Sequence, residues 1–124
     1  MAPFGEPKFH LGSVIKYDFG PRQPGDHRIE GLHYAVVVQT EQLSVSEDYS
    51  LIVVLYVTST DKRGRLYLRV QPTPENGLDH ASTVDCSQYY TLRKDDAGLE
   101  VVGLLSRADQ YELKQRIKVF FGIS

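Results

Sequence analysis

Two stretches of almost unbroken apolar residues, many of them β-branched, constrain this chain more than anything else in it: "YAVVVQT" (34–40) and "LIVVLYVTST" (51–60). A half-buried strand alternates apolar with polar residues, and an amphipathic helix repeats its apolar residues every three to four positions. Runs this continuous and this short read instead as strands covered on both faces. Such strands need neighbours, and the flanking segments supply them. "SVIKYDFG" (13–20) alternates Val14, Lys16 and Asp18 with Ile15, Tyr17 and Phe19, the period of a half-buried strand. "RLYLRVQP" (65–72) sets Leu66, Leu68 and Val70 opposite Tyr67, Arg69 and Gln71. "STVDCSQYYTLR" (82–93) is strand-like, and "EVVGLLS" (100–106) reads as a short buried strand. Only the last segment changes period. Ser106 stands three before Asp109 in a capping-box-like arrangement, Leu113, Ile117 and Phe120 follow at helical spacing, and Gly122 closes the helix. Several short strands followed by one helix favour a small, strongly bent antiparallel sheet or barrel with a helix packed on it.

The connections are distinct. Residues 1–12 form an irregular arm, and "PRQPGDHRIEG" (21–31) breaks every pattern with two prolines and two glycines, as an exposed loop does. "DKRG" (61–64) turns a hairpin spanning 60–69, and "TPENGL" (73–78) carries an Asn-Gly turn signal. The 124 residues suffice for one domain (1–124) with its own core, and 41% hydrophobic against 24% charged residues excludes a disordered chain. A net charge of −2 gives no global basic signature, although a clustered basic face remains compatible with it. The single cysteine, Cys86, excludes a disulfide framework and a cysteine-rich zinc site and fits a reducing cytoplasm. No signal-peptide pattern opens the chain, and the longest apolar run, Leu51 to Val57, is too short to cross a bilayer. With no metal-ligand spacing and no phosphate-cradling glycine loop, no cofactor is expected.

Four segments and a tail occur in an order that resembles the MazF/PemK (Kid) family of toxins from bacterial type II toxin–antitoxin systems. "GSVIKYDF" is similar to the family's opening strand, "GLHYAVVVQ" to its G-x-R-P-A-L-V-V strand, and "VVLYVTST" to its V-x-x-I-T-S strand. "NGLDHASTVDCSQYYTL" resembles N-G-L-x-x-x-S-x-v-x-c-d-Q-x-x-T-l, and "GLLSRADQYELKQRIKVFFGI" resembles the family's ending. The resemblance runs from about Gly12 to Ile123. It implies an SH3-like (PemK/CcdB-type) small β-barrel with a C-terminal helix, assembled as a homodimer. The implied activity is metal-independent, sequence-selective cleavage of single-stranded mRNA, which inhibits translation. The implied partner is a cognate antitoxin whose disordered acidic tail covers the RNA groove.

Metal-free RNA cleavage uses the RNA's own 2′-hydroxyl as nucleophile. It needs a base for that proton, charge stabilisation at the phosphorane and an acid for the departing 5′-oxygen. The family usually has an arginine where this chain has His33, and a threonine where it has Thr58. Histidine can carry a proton near neutral pH, whereas arginine supplies a fixed charge. The resemblance therefore points to His33 as acid or base, Thr58 as hydrogen-bond donor to the phosphate, and Arg28 in the 21–31 loop as the phosphate cation. Arg22 is the next cation, and His27 would be a second proton carrier. RNA contacts are further expected from Arg22, His27, Ser59, the basic hairpin residues Lys62, Arg63, Arg65 and Arg69, and from Asp85, Ser87 and Gln88. Strict alternation puts Asp85 and Ser87 on one face and Gln88 on the other.

Each assignment has a plainer counterpart. His33 would serve as a hydrogen-bonding bracket at a loop–strand junction, Thr58 as an ordinary β-branched strand residue, and the basic hairpin as a solvated tip. The missing arginine likewise leaves open a catalytically silent member that binds nucleic acid (RNA or DNA) or a protein. The gyrase-poisoning branch of the same superfold is a further alternative. It is known for acting through C-terminal residues, often a tryptophan, and this chain has none.

Overall fold

The computed structural model of the chain describes residues 9–21, 31–39, 42, 43, 46 and 49–124. Six strands, β1 (Ser13–Asp18), β2 (Leu32–Val37), β3 (Leu51–Thr58), β4 (Tyr67–Val70), β5 (Ser82–Arg93) and β6 (Glu100–Leu104), precede one helix, α1 (Arg107–Phe121). All pair antiparallel in a single sheet of order β4-β5-β3-β2-β1-β6, which curls into a half-barrel.

The uninterrupted apolar runs have the expected cause. Along β3, Ile52 and Val54 point into one buried cluster and Leu55 and Val57 into another. Along β2, Ala35 and Val37 share the first cluster and Val36 the second. Alternation between apolar and polar residues is erased because neither face meets water. On one face, Leu105 and Leu113 cover the sheet from the α1 side. On the other, Phe9 from the N-terminal arm and Leu99 from the β5–β6 turn do so.

Local signals place the helix well. The Ser106 side chain accepts from the Asp109 amide at 3.1 Å, and Gly122 takes the left-handed conformation (φ 68°) that ends it. Arg116 Nε donates to the Tyr67 carbonyl at 3.0 Å, pinning α1 to β4. The C-terminal end remains only partly covered: Phe120 and Phe121 stack against Tyr89 with centroids 5.3 and 5.2 Å away, yet Phe121 is 56% exposed.

Three expectations need correction. The 60–69 stretch is not a two-stranded hairpin, because β4 pairs with β5 and not with β3; β5 lies between them. Strand β6 is not buried: it is a sheet edge, with Glu100, Val101 and Leu104 exposed. The alternation expected across residues 85–88 also fails. Leu55 pairs with Tyr89 but Tyr56 pairs with Asp85, so Cys86, Ser87 and Gln88 form a bulge. The bulge folds Gln88 back onto Asp85, its Nε2 donating to Oδ2 at 2.8 Å.

Cys86 is fully buried, and burial pushes its thiol up to about 12. Native protein at pH 8 should therefore resist iodoacetamide, whereas guanidinium-unfolded protein should take up one equivalent by mass spectrometry. Rapid alkylation of the native fold would contradict the burial of this strand.

Candidate nucleic-acid cleavage site

The site lies where β2 and β3 meet the open end of the half-barrel. Ala35 pairs with Tyr56, so the same register carried two residues outward sets His33 against Thr58. Thr58 pairs in turn with Thr83, Thr83 with Arg69, and His33 with Tyr17. Directly opposed residues share a sheet face. Arg69, Thr83, Thr58, His33 and Tyr17 thus form one transverse row across five strands.

The polar members of that row are held in place. Arg69 Nη1 donates to Thr83 Oγ1 at 3.0 Å and to the carbonyls of Ser59 and Thr60 at 3.4 Å each. Thr83 Oγ1 donates to the Thr60 carbonyl at 2.8 Å. Thr58 Oγ1 accepts from the Thr60 amide at 3.2 Å, which leaves its own proton available for donation. The His33 ring meets Tyr56 edge-on with centroids 5.3 Å apart.

A groove of about 410 Å³ opens beside the row. His33, Thr58 and Ser59, three of the residues the resemblance points to, line it, and so do Lys16, Tyr34, Asp79 and His80, which the resemblance did not name. Lys16 Nζ lies 5.4 Å from the Tyr34 ring centroid, and the Tyr34 ring lies 6.4 Å from that of His80. Asp79 Oδ1 meets His80 Nδ1. Burial first, and then the charge and hydrogen bond of Asp79, push the Tyr34 phenol above its ordinary value, so it stays a neutral donor at physiological pH.

The other expected residues fall elsewhere. Arg22, His27 and Arg28 lie outside the described residues. Lys62, Arg63 and Arg69 line a second depression together with Arg116. Arg63 is tied to Asp61 at 3.2 Å, and Arg65 faces a separate apolar hollow beside Phe120. Asp85 is only 2% exposed. Its carboxylate accepts from the Ser87 amide and hydroxyl and from Gln88, so these three residues brace the bulge under Tyr56. Among the described residues no group of three or more His, Cys, Asp or Glu is placed to hold a metal ion. No helix among them is long and apolar enough to cross a membrane.

A family model for the PemK-like, MazF-like toxin of type II toxin–antitoxin systems matches residues 10–121. The chain belongs to that family. Comparison with curated proteins found no match. Among solved structures, a mycobacterial endoribonuclease in complex with its cognate antitoxin superposes with a TM-score of 0.72 at 17% identity, over 93% of this chain and 96% of that one. MazF from Deinococcus radiodurans gives 0.71 at 17% identity, over 92% and 96%. The Mycobacterium tuberculosis toxin MazF-mt6 gives 0.69 at 16% identity, over 90% and 98%. At these identities the structural likeness establishes the MazF/PemK fold.

Within this PemK-like, MazF-like toxin, the four unforeseen groove residues come from two kinds of position. Asp79 and His80 follow the Asn-Gly turn after Leu78, and Lys16 and Tyr34 are polar residues on strands that pair with each other. A polar Asp-His pair just after a tight turn, and a lone lysine on a half-buried strand, are the signals that mark them.

Proposed function

We infer that this chain is a metal-independent, sequence-selective endoribonuclease toxin that cuts single-stranded mRNA in the cytoplasm and thereby inhibits translation. Residues 1–124 act as one domain, a cognate antitoxin neutralises it, and it works as a homodimer. The reading rests on one observation above all: His33 and Thr58 stand together on a single groove with Lys16 beside them. His33 carries the proton of the 2′-hydroxyl, Thr58 donates to the phosphate, Lys16 adds positive charge in the groove, and Arg28 is the phosphate cation. Arg69, held on the same row, and Lys62 extend the cationic track along which phosphates would lie, so affinity falls with added salt. The dimer is supported by the apolar end of α1, where Val119, Phe120 and Phe121 stay exposed.

Purified protein incubated in EDTA with a long single-stranded RNA should yield discrete cuts ending in 2′,3′-cyclic phosphates, with 5′-hydroxyls on the downstream pieces. Intact RNA at high protein excess would overturn the nuclease reading. It would favour the silent binding module, consistent with histidine standing where the family has arginine.

A further inference from the structure

Cleavage through the 2′-hydroxyl needs two proton transfers. One is taken from the nucleophile and one is given to the 5′-oxygen that leaves. His33 and Thr58 account for only part of this, because a threonine hydroxyl is far too weak an acid to be the main proton source near neutral pH. The same groove holds a second imidazole. His80 lies in the segment joining the 73–77 turn to β5, and its side chain is 48% exposed. It is not a loose surface residue. The Ser82 hydroxyl donates to its carbonyl at 3.0 Å, and Ser82 itself is buried at the start of β5. Asp79 engages Nδ1, which fixes the ring orientation and leaves Nε2 for a substrate. Asp79 lines the same groove as Tyr34, and Lys16 lies over the Tyr34 ring.

We propose that His80, oriented by Asp79, is the general acid of the cleavage site and works opposite His33 as the base. The inference rests on the nuclease reading above. The 2′-oxygen gives its proton to His33 and forms a bond to phosphorus. The bond from phosphorus to the 5′-oxygen breaks, and that oxygen takes the proton from His80 Nε2. The products are a 2′,3′-cyclic phosphate and a 5′-hydroxyl. His33 ends protonated and His80 neutral, and exchange with water restores both. The chain thus replaces a fixed arginine charge with an acid–base pair drawn from two distant parts of its sequence.

A leaving group that needs no proton isolates this role. Two oligonucleotides would be compared at a mapped cut site, one with the natural 5′-oxygen and one with bridging sulfur in its place. His80→Ala and His80→Gln should each slow the oxygen substrate by about 10²–10⁴-fold and the sulfur substrate by less than about tenfold, while His33→Ala slows both. Equal slowing of both substrates by the His80 variants, or cleavage of the oxygen substrate within about threefold of wild type, would overturn the assignment. If the wild type cuts neither substrate, the nuclease reading itself falls and the assignment falls with it. A wild type that cuts both, with unaffected His80 variants, removes the acid role alone. Because the His80 side chain is 48% exposed, both variants should keep a Tm close to that of the wild type, which checks that lost activity is not lost folding.

Discussion

Replacing His33 by alanine is expected to slow cleavage of single-stranded RNA by about 10²–10⁴-fold, the range for losing one general acid or base. That corresponds to about 3–5 kcal/mol of transition-state stabilisation. The fold should barely notice. His33 stands at the outer end of β2, and its edge-on contact with the Tyr56 ring contributes only about 1 kcal/mol to stability. His33→Arg separates two ways in which the residue could act. Arginine restores a fixed positive charge beside the phosphate but cannot take a proton at any pH where the protein is folded. The arginine variant should therefore retain part of the activity lost in alanine. It should also lose the limb of the pH–rate profile that a titrating base produces. If His33→Arg equals wild type at every pH, His33 works as a cation and not as a base. If His33→Ala cuts within about threefold of wild type, the chemistry lies elsewhere in the groove.

That residue was legible in the sequence because its signal is local: a polar residue at the mouth of an apolar run. The same holds for Thr58 at the polar end of β3 and for the caps of α1, where Ser106 and Gly122 act within a single turn of chain. The two central strands were legible for a different reason. Burial on both faces leaves a composition that no helix of that length needs. What escaped depended on contacts between distant segments. The partner of β4 is β5, reached across 11 intervening residues, whereas adjacency in the chain suggested β3. The bulge at Cys86–Gln88 changes which face each side chain takes, and no alternation rule can foresee an insertion in the ladder. Lys16, Tyr34 and the Asp79–His80 pair converge only because β1 pairs with β2 and because the turn at 73–77 is docked against β6. Their chemistry was visible as letters, and their company was not.

That docking sets the second large expectation. Gly103 on β6 lies against the backbone of the 73–77 turn, and Leu104 N donates to the Glu75 carbonyl at 2.9 Å. A methyl group at position 103 would sit 2.3 Å from the Asn76 carbonyl carbon and 2.5 Å from the Glu75 oxygen. Both neighbours are main chain, so a side-chain rotation cannot relieve the overlap. The turn is also poorly able to retreat. Asn76 is 1% exposed, and its amide accepts from Thr73 N and Leu78 N at 3.0 Å each while donating to the Gln71 carbonyl at 2.9 Å. Moving away would cost the β6 contact, and staying would cost an overlap. Gly103→Ala should therefore lower stability by about 3 kcal/mol, read as a fall in denaturant midpoint at unchanged m. Against the 5–15 kcal/mol of an ordinary domain this is a large fraction. Gly20→Ala is the informative companion, since Gly20 has φ +77° but no described residue within 4 Å of an added methyl. It should cost only about 1 kcal/mol, the strain of a left-handed alanine without a clash. A Gly103→Ala loss no larger than that of Gly20→Ala would mean the turn separates readily from β6. Asp79 and His80, which follow that turn, would then lack the rigid support that an acid poised over a phosphate requires.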